Sequence, residues 1–125
     1  MIVLDASAVL ATLQGETGGD FLKGVTEEYV ISTLNFGEVI AKLTEKGFSR
    51  AETLLVTRPF QDRCSPLSLS QAVQAGLWRA ETRKLGLSMG DRCCLALGLD
   101  LGAEVYTTDR AWAGLDLGVQ VRLIR

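Results

Sequence analysis

The chain contains no histidine. That absence excludes a Ser-His-Asp triad, a histidine general base, a paired-histidine ribonuclease mechanism and any zinc site ligated through imidazole. Cysteine is scarce: Cys64, Cys93 and Cys94 are odd in number and lack CxxC spacing. They read as buried or incidental thiols in a reducing compartment, not as a disulfide framework or a zinc site. No apolar run reaches the ~18 residues of a membrane span, and no basic segment precedes a cleavable apolar stretch. A cytoplasmic protein with no membrane partner is the expectation. A basic surplus is also missing, with 13 Lys and Arg against 15 Asp and Glu and a net charge of −2. A basic surface alone is therefore a poor basis for nucleic-acid binding. Acids gathered around a divalent cation would change that balance, because the metal supplies the positive field. Without histidine, polar chemistry in this chain rests on carboxylates.

What is present is an ordinary globular balance: 125 residues, 47% hydrophobic and 22% charged. That is enough for one domain over residues 1–125 with a sizeable core, needing no disulfide or structural metal. Charge is uneven, with four basic and eight acidic residues in 1–57 against nine and seven in 58–125. Met1-Ile2-Val3-Leu4 and Tyr29-Val30-Ile31 are short continuous apolar runs, the pattern of strands buried on both faces of a parallel sheet. Phe36, Val39, Ile40 and Leu43 recur at helical spacing and predict an amphipathic helix closed near Gly47. Residues 50–57 predict another short helix, and Pro59 and Pro66 are expected to bracket a loop or weak edge strand. Leu69, Val73, Leu77 and Ala80 form the apolar stripe of a longer helix ending near Gly86. Residues 91–101 are apolar almost all round, so that helix should be central, with Gly102 at its C′ position. Val105-Tyr106 reads as a buried strand, and residues 119–123 alternate like an edge strand. Strands interleaved with helices imply an α/β sandwich around a mainly parallel sheet.

Asp5 and Asp109 each follow a predicted buried strand, where open parallel sheets bind ligands. Each also suits the N-cap of the element that follows. Glu38 has Lys42 four residues later, the spacing of a helix-surface ion pair. Asn35 lies three residues before Glu38, so this polar pair could equally look into a partly buried cleft. Asp91 closes a Ser88-to-Asp91 capping box at the start of the most apolar helix. Carboxylate oxygens suit Mg²⁺ or Mn²⁺, which hold phosphate and activate water. Ser7 and Thr107, each two residues from an acid, are placed to hydrogen-bond the carboxylates or their waters.

Four blocks, Val3-Leu4-Asp5-Ala6-Ser7-Ala8, Asn35-Phe36-Gly37-Glu38-Val39, Leu87-Ser88-Met89-Gly90-Asp91 and Thr107-Thr108-Asp109-Arg110-Ala111-Trp112, occur in order. Together with the closing Gly118-Val119-Gln120-Val121-Arg122 stretch, they resemble the acidic blocks of the PIN-domain ribonucleases, and the VapC toxin branch in particular. The likeness runs over nearly the whole chain. It implies a three-layer α/β/α sandwich with a central, mostly parallel sheet, and an acidic pocket binding one or two Mg²⁺ or Mn²⁺ ions. It further implies endoribonuclease activity, often on structured RNA such as transfer RNA, a homodimer, and a cognate antitoxin that blocks the pocket. Carried over residue by residue, Asp5, Glu38, Asp91 and Asp109 are the catalytic and metal-binding acids. Ser7, Asn35 and Thr107 support them.

For contacts to RNA the candidates are Arg79, Arg83 and Lys84 on the long helix, with Arg92 and Arg110 beside the acids. Each could equally be part of a solvated face. Trp78 and Trp112 could stack on bases, although large aromatics in a small domain are usually core. Two rival readings stand beside the nuclease. A phosphoaspartyl hydrolase would need a second Asp two residues after Asp5, where this chain has Ser7. A catalytically inactive PIN-like interaction module would be marked by loss of acids, and none is lost.

Overall fold

A computed structural model describes all of residues 1–125. Its strands are β1 (Ile2–Leu4), β2 (Tyr29–Ser32), β3 (Cys64–Ser65), β4 (Glu104–Thr107) and β5 (Val121–Leu123). The helices are α1 (Ala6–Gln14), α2 (Thr33–Glu45), α3 (Arg50–Gln61), α4 (Leu69–Leu77), α5 (Arg79–Thr82) and α6 (Met89–Leu101). The sheet order is β3-β2-β1-β4-β5 and every pairing is parallel, so the expected mostly parallel sheet is wholly so.

β1 lies at the centre of the sheet, which is why Ile2, Val3 and Leu4 are all buried despite their small number. Successive side chains of a strand point to opposite faces. Ile2, Leu4, Ile31 and Tyr106 therefore join Val9, Val39, Leu43 and Phe60 in one cluster. Val3 and Val105 join Trp78, Leu87, Leu95, Leu97 and Trp112 in the other. Two cores on opposite faces of one sheet make the three-layer α/β/α sandwich. Both tryptophans belong to the core, and neither offers a stacking surface.

The all-round apolar segment is α6, buried from Arg92 to Gly98 and closed by Gly102 in the left-handed region. It lies so close to the sheet that a Cβ on Gly98 would stand 2.5 Å from Val105 Cγ2.

Three expectations change. Pro59 sits inside α3 and not at the start of a loop, while the weak edge strand expected between the prolines is the two-residue β3. Proline removes one helical hydrogen bond at this position, and α3 finishes two residues later. The longer helix breaks into α4, α5 and a 3₁₀ turn at Arg83–Leu85. The stripe on α4 also faces away from the core: Leu69, Val73 and Leu77 are 82%, 53% and 68% exposed, and Ala80 is exposed too. Gln71, Ala75, Trp78 and Thr82 point inward instead. Contact with α6 accounts for the inversion. Gln71 donates to Asp100 Oδ2 at 2.9 Å, and the Ala75 carbonyl accepts from Arg92 Nη1 at 2.9 Å. Polar bonds with specific partners thus outweigh the apolar periodicity.

Gly98→Ala should lower stability by about 1–3 kcal/mol through overpacking. Gly37→Ala, mid-α2 with open space around its Cα, should raise it by about 0.5–1 kcal/mol. Urea denaturation of both variants checks the pair.

Candidate active site

Parallel strands bring their carboxyl ends to one edge of the sheet, and the helices that follow begin there. Asp5 ends β1 and caps α1, its Oδ1 accepting from the Ala8 amide at 2.8 Å. Asp109 follows β4 and caps a 3₁₀ turn through the Ala111 amide at 3.0 Å. Asp91 sits in the first turn of α6 within the predicted capping box, its Oδ2 accepting from the Ser88 amide at 2.9 Å. Glu38 lies in the second turn of α2, which Ser32 caps. These four acids from four elements line one cavity of about 220 Å³, together with Ala6, Ser7, Leu10 and Lys42. Capping and convergence therefore hold together for the three aspartates.

The Asp5 carboxylate is held at both oxygens. Ser7 Oγ donates to Oδ1 at 2.7 Å, and Thr107 Oγ1 donates to Oδ2 at 2.5 Å. Each hydroxyl in turn accepts a backbone amide, Thr108 N on Ser7 and Asp109 N on Thr107, both at 3.0 Å. The ends of β1 and β4 are thereby joined through side chains as well as through the sheet. Asn35 is fully buried; its Nδ2 donates to Glu38 Oε1 at 2.8 Å and to the Gly90 carbonyl at 3.0 Å. The three supporting residues named from sequence all contact the acids or their immediate backbone.

Burial pushes the Asp5 carboxyl from its ordinary 3.8 up to about 6, against the lowering effect of Thr107, Ser7 and Ala8, with Asp91 adding repulsion. Burial likewise raises Asp91, and the Asp109 carboxylate adds to the rise. Hard carboxylate donors that repel one another are matched in chemistry and charge to a divalent cation. No group of three or more such side chains is arranged, as the structure stands, to hold an ion in common. The fit lies in donor type and charge.

The basic candidates fare differently. Arg92 is buried, with Nε donating to the Ser88 carbonyl at 3.2 Å and Nη1 to Ala75, so it joins α6 to α4 and is no RNA contact. Arg79, Arg83, Lys84 and Arg110 are exposed, but none lines the cavity. Arg79 and Arg83 do not share a continuous helix, because α5 ends between them at Thr82. Sequence reasoning missed Gly90 and the place of Lys42. A Cβ at Gly90 would meet the Glu38 carboxylate, with Oε2 at 2.5 Å. Lys42 does not pair with Glu38; its Nζ lies 3.8 Å from Glu45.

An all-parallel sandwich with acids at its strand ends defines an α/β domain whose site is the carboxyl edge of the sheet. The chain belongs to the PIN domain family, whose model matches residues 2–116. Among solved structures, it is similar to a chain of a DNA-bound VapBC from Salmonella typhimurium. There the identity is 21%, the TM-score is 0.79, and 100% of each chain is covered. A chain of a toxin–antitoxin complex from Klebsiella pneumoniae is 18% identical with a TM-score of 0.78, covering 100% of this chain and 98% of that one. VapC20 from Mycobacterium tuberculosis, described as a toxin that cleaves the sarcin-ricin loop, is 20% identical with a TM-score of 0.74, covering 96% and 99%. At these identities the likeness is one of fold. No curated protein sequence matches the chain.

Because folding raises the Asp5 pKa, the sign of its pH effect is fixed. Well below 3.8 both folded and unfolded chains are protonated at this residue and it imposes no penalty. As pH rises toward about 6 the unfolded chain ionises first, and the penalty on folding grows. The interval corresponds to ~3 kcal/mol. Metal-free Asp5→Asn should therefore be more stable than the parent at pH 7.5 by up to that amount, with the difference largely gone near pH 3.5. Urea titrations at the two pH values check this.

Proposed function

We propose that this protein is a metal-dependent endoribonuclease of the VapC toxin type. The observation that carries the reading is the convergence of Asp5, Glu38, Asp91 and Asp109, from four elements, on one cavity at the carboxyl edge of the sheet. Family membership supports it, as does the shared fold with a toxin described as cleaving the sarcin-ricin loop. The four acids would hold one or two Mg²⁺ or Mn²⁺ ions, which supply electrostatic stabilisation at the scissile phosphate and activate water. Ser7 and Thr107 fix the Asp5 carboxylate so that both its oxygens keep one orientation. Asn35 fixes Glu38 against the first turn of α6. Hydrolysis by water leaves a 5′-phosphate and a 3′-hydroxyl.

Transfer RNA or another structured RNA is the proposed substrate class, and a cognate antitoxin is the proposed regulator. Chains of the same fold occur in toxin–antitoxin complexes, which supports that partner. The rival reading of an inactive PIN-like interaction module predicts no cleavage at all.

Total transfer RNA incubated with the protein should be cut in Mn²⁺ and spared in EDTA. Asp5→Asn, Glu38→Gln, Asp91→Asn and Asp109→Asn should each reduce the rate at least ~100-fold. Cyclic 2′,3′-phosphate ends would overturn the water mechanism. Absence of cleavage together with absence of Mn²⁺ binding by calorimetry would leave the three aspartates as caps and Glu38 as a partner of Asn35.

A homodimer is proposed through α4. Its outward face presents Leu69, Val73 and Leu77, and no residue of α4 is charged. In a two-fold interface the same patch meets itself, and an uncharged α4 face does so without like-charge repulsion. Sedimentation should show a dimer that Val73→Lys converts to monomer. A monomeric parent protein would overturn the assignment.

A further inference from the structure

The acidic cavity has a single cationic wall residue. Lys42 stands one helical turn beyond Glu38 on α2 and lines the cavity together with all four acids. Its only ionic partner is Glu45 at 3.8 Å, and both side chains are well exposed, at 61% and 73%. A pair of that length and exposure contributes little and exchanges readily for another anion. Four residues further, about 6 Å along the axis, Lys46 continues the same face and donates to Gln14 Oε1 at 3.0 Å. Gln14 closes α1 four residues beyond Leu10, which lines the cavity. The helices α1 and α2 both begin at the acidic edge and lie against each other. Glu38, Lys42 and Lys46 therefore mark a line from the cavity outward, beside the seam between these helices.

We infer that Lys42 binds a backbone phosphate of the RNA next to the cleavage point, and that Lys46 takes the next phosphate outward. The strand then leaves the acidic cavity along the α1–α2 seam. This assignment rests on the nuclease reading of the cavity. The proposed metal offsets the acids at the cavity itself, so the phosphates beyond it are the ones that need a cation of the protein. The exposed arginines stand off the cavity and Arg92 is buried, so Lys42 is the cation in place. A compact charge on a flexible stem, held only by a weak pair, can move to a phosphate without breaking the fold.

The test measures binding of a labelled, mixed-sequence single-stranded RNA to the full chain by fluorescence anisotropy across a salt series. Ca²⁺ replaces Mn²⁺ to limit turnover. Lys42→Ala should weaken binding at least about threefold at low salt and lower the slope of log affinity against log salt by ~0.7. Lys42→Arg should restore both, and Lys46→Ala should lower the slope by a similar amount. Melting temperature and Mn²⁺ binding should stay at parental values in all three variants. Unchanged affinity and slope in Lys42→Ala, with an RNA that the parent binds, would overturn the assignment and leave the nuclease reading standing. Loss of Mn²⁺ binding or of melting temperature in that variant would also overturn it, by making Lys42 a neutraliser of the acids. A parent protein that neither binds nor cuts RNA would overturn both.

Discussion

The buried carboxylate of Asp5 sets the terms for everything at the carboxyl edge of the sheet. A lone charge at that depth costs several kcal/mol unless it is hydrogen-bonded. The fold answers with three donors: one from the helix that Asp5 caps, one from the neighbouring Ser7, and one from Thr107 on the adjoining strand. Because the two hydroxyls are oriented in turn by the amides of Thr108 and Asp109, the loop after β4 cannot move independently of β1. Asp109 is thus located by the same bonds that make the burial of Asp5 tolerable. Stability at this edge and geometry at the cavity are one set of interactions.

The central layer was legible in the sequence because burial on both faces leaves a signature that needs no partner to interpret. Ile2–Leu4, Tyr29–Ile31 and Val105–Tyr106 are short runs without polar interruption, and all three are strands. The three capping aspartates were legible for a similar reason, since a cap is decided by residues within one turn. The outer layer was not. On α4 the apolar stripe of Leu69, Val73 and Leu77 faces outward, while Gln71 and Ala75 face α6. Periodicity identifies a face but not its neighbour, and here the neighbour offered Asp100 and a buried arginine. Arg92 misled in the same way: its charge marks a surface residue in isolation, yet two backbone carbonyls receive it inside.

The candidate site shows how little a structural explanation of a residue says against a functional one. Asp5, Asp91 and Asp109 are helix or turn caps, as their local sequences predict, and they also face one another across a cavity. A parallel sheet makes the coincidence natural. Its strands end where its helices begin, so a residue chosen to cap a helix is already at the edge where ligands bind. Glu38 alone does not cap, and it reaches the cavity from the second turn of α2 with Asn35 as its brace. That brace depends on tertiary contact with Gly90, which no local pattern announces.

Gly90 is constrained by what its codon can become. Every residue that one base change can put in place of glycine carries a Cβ, and here the three atoms nearest that position all belong to the Glu38 carboxylate. A flexible side chain yields where a core would not, so such a change moves Glu38 while the sandwich and its outer faces persist. If the protein is costly to the cell that makes it, this codon is a short mutational route to disarming it. The changed protein would keep its sandwich and its outer faces with only the cavity altered.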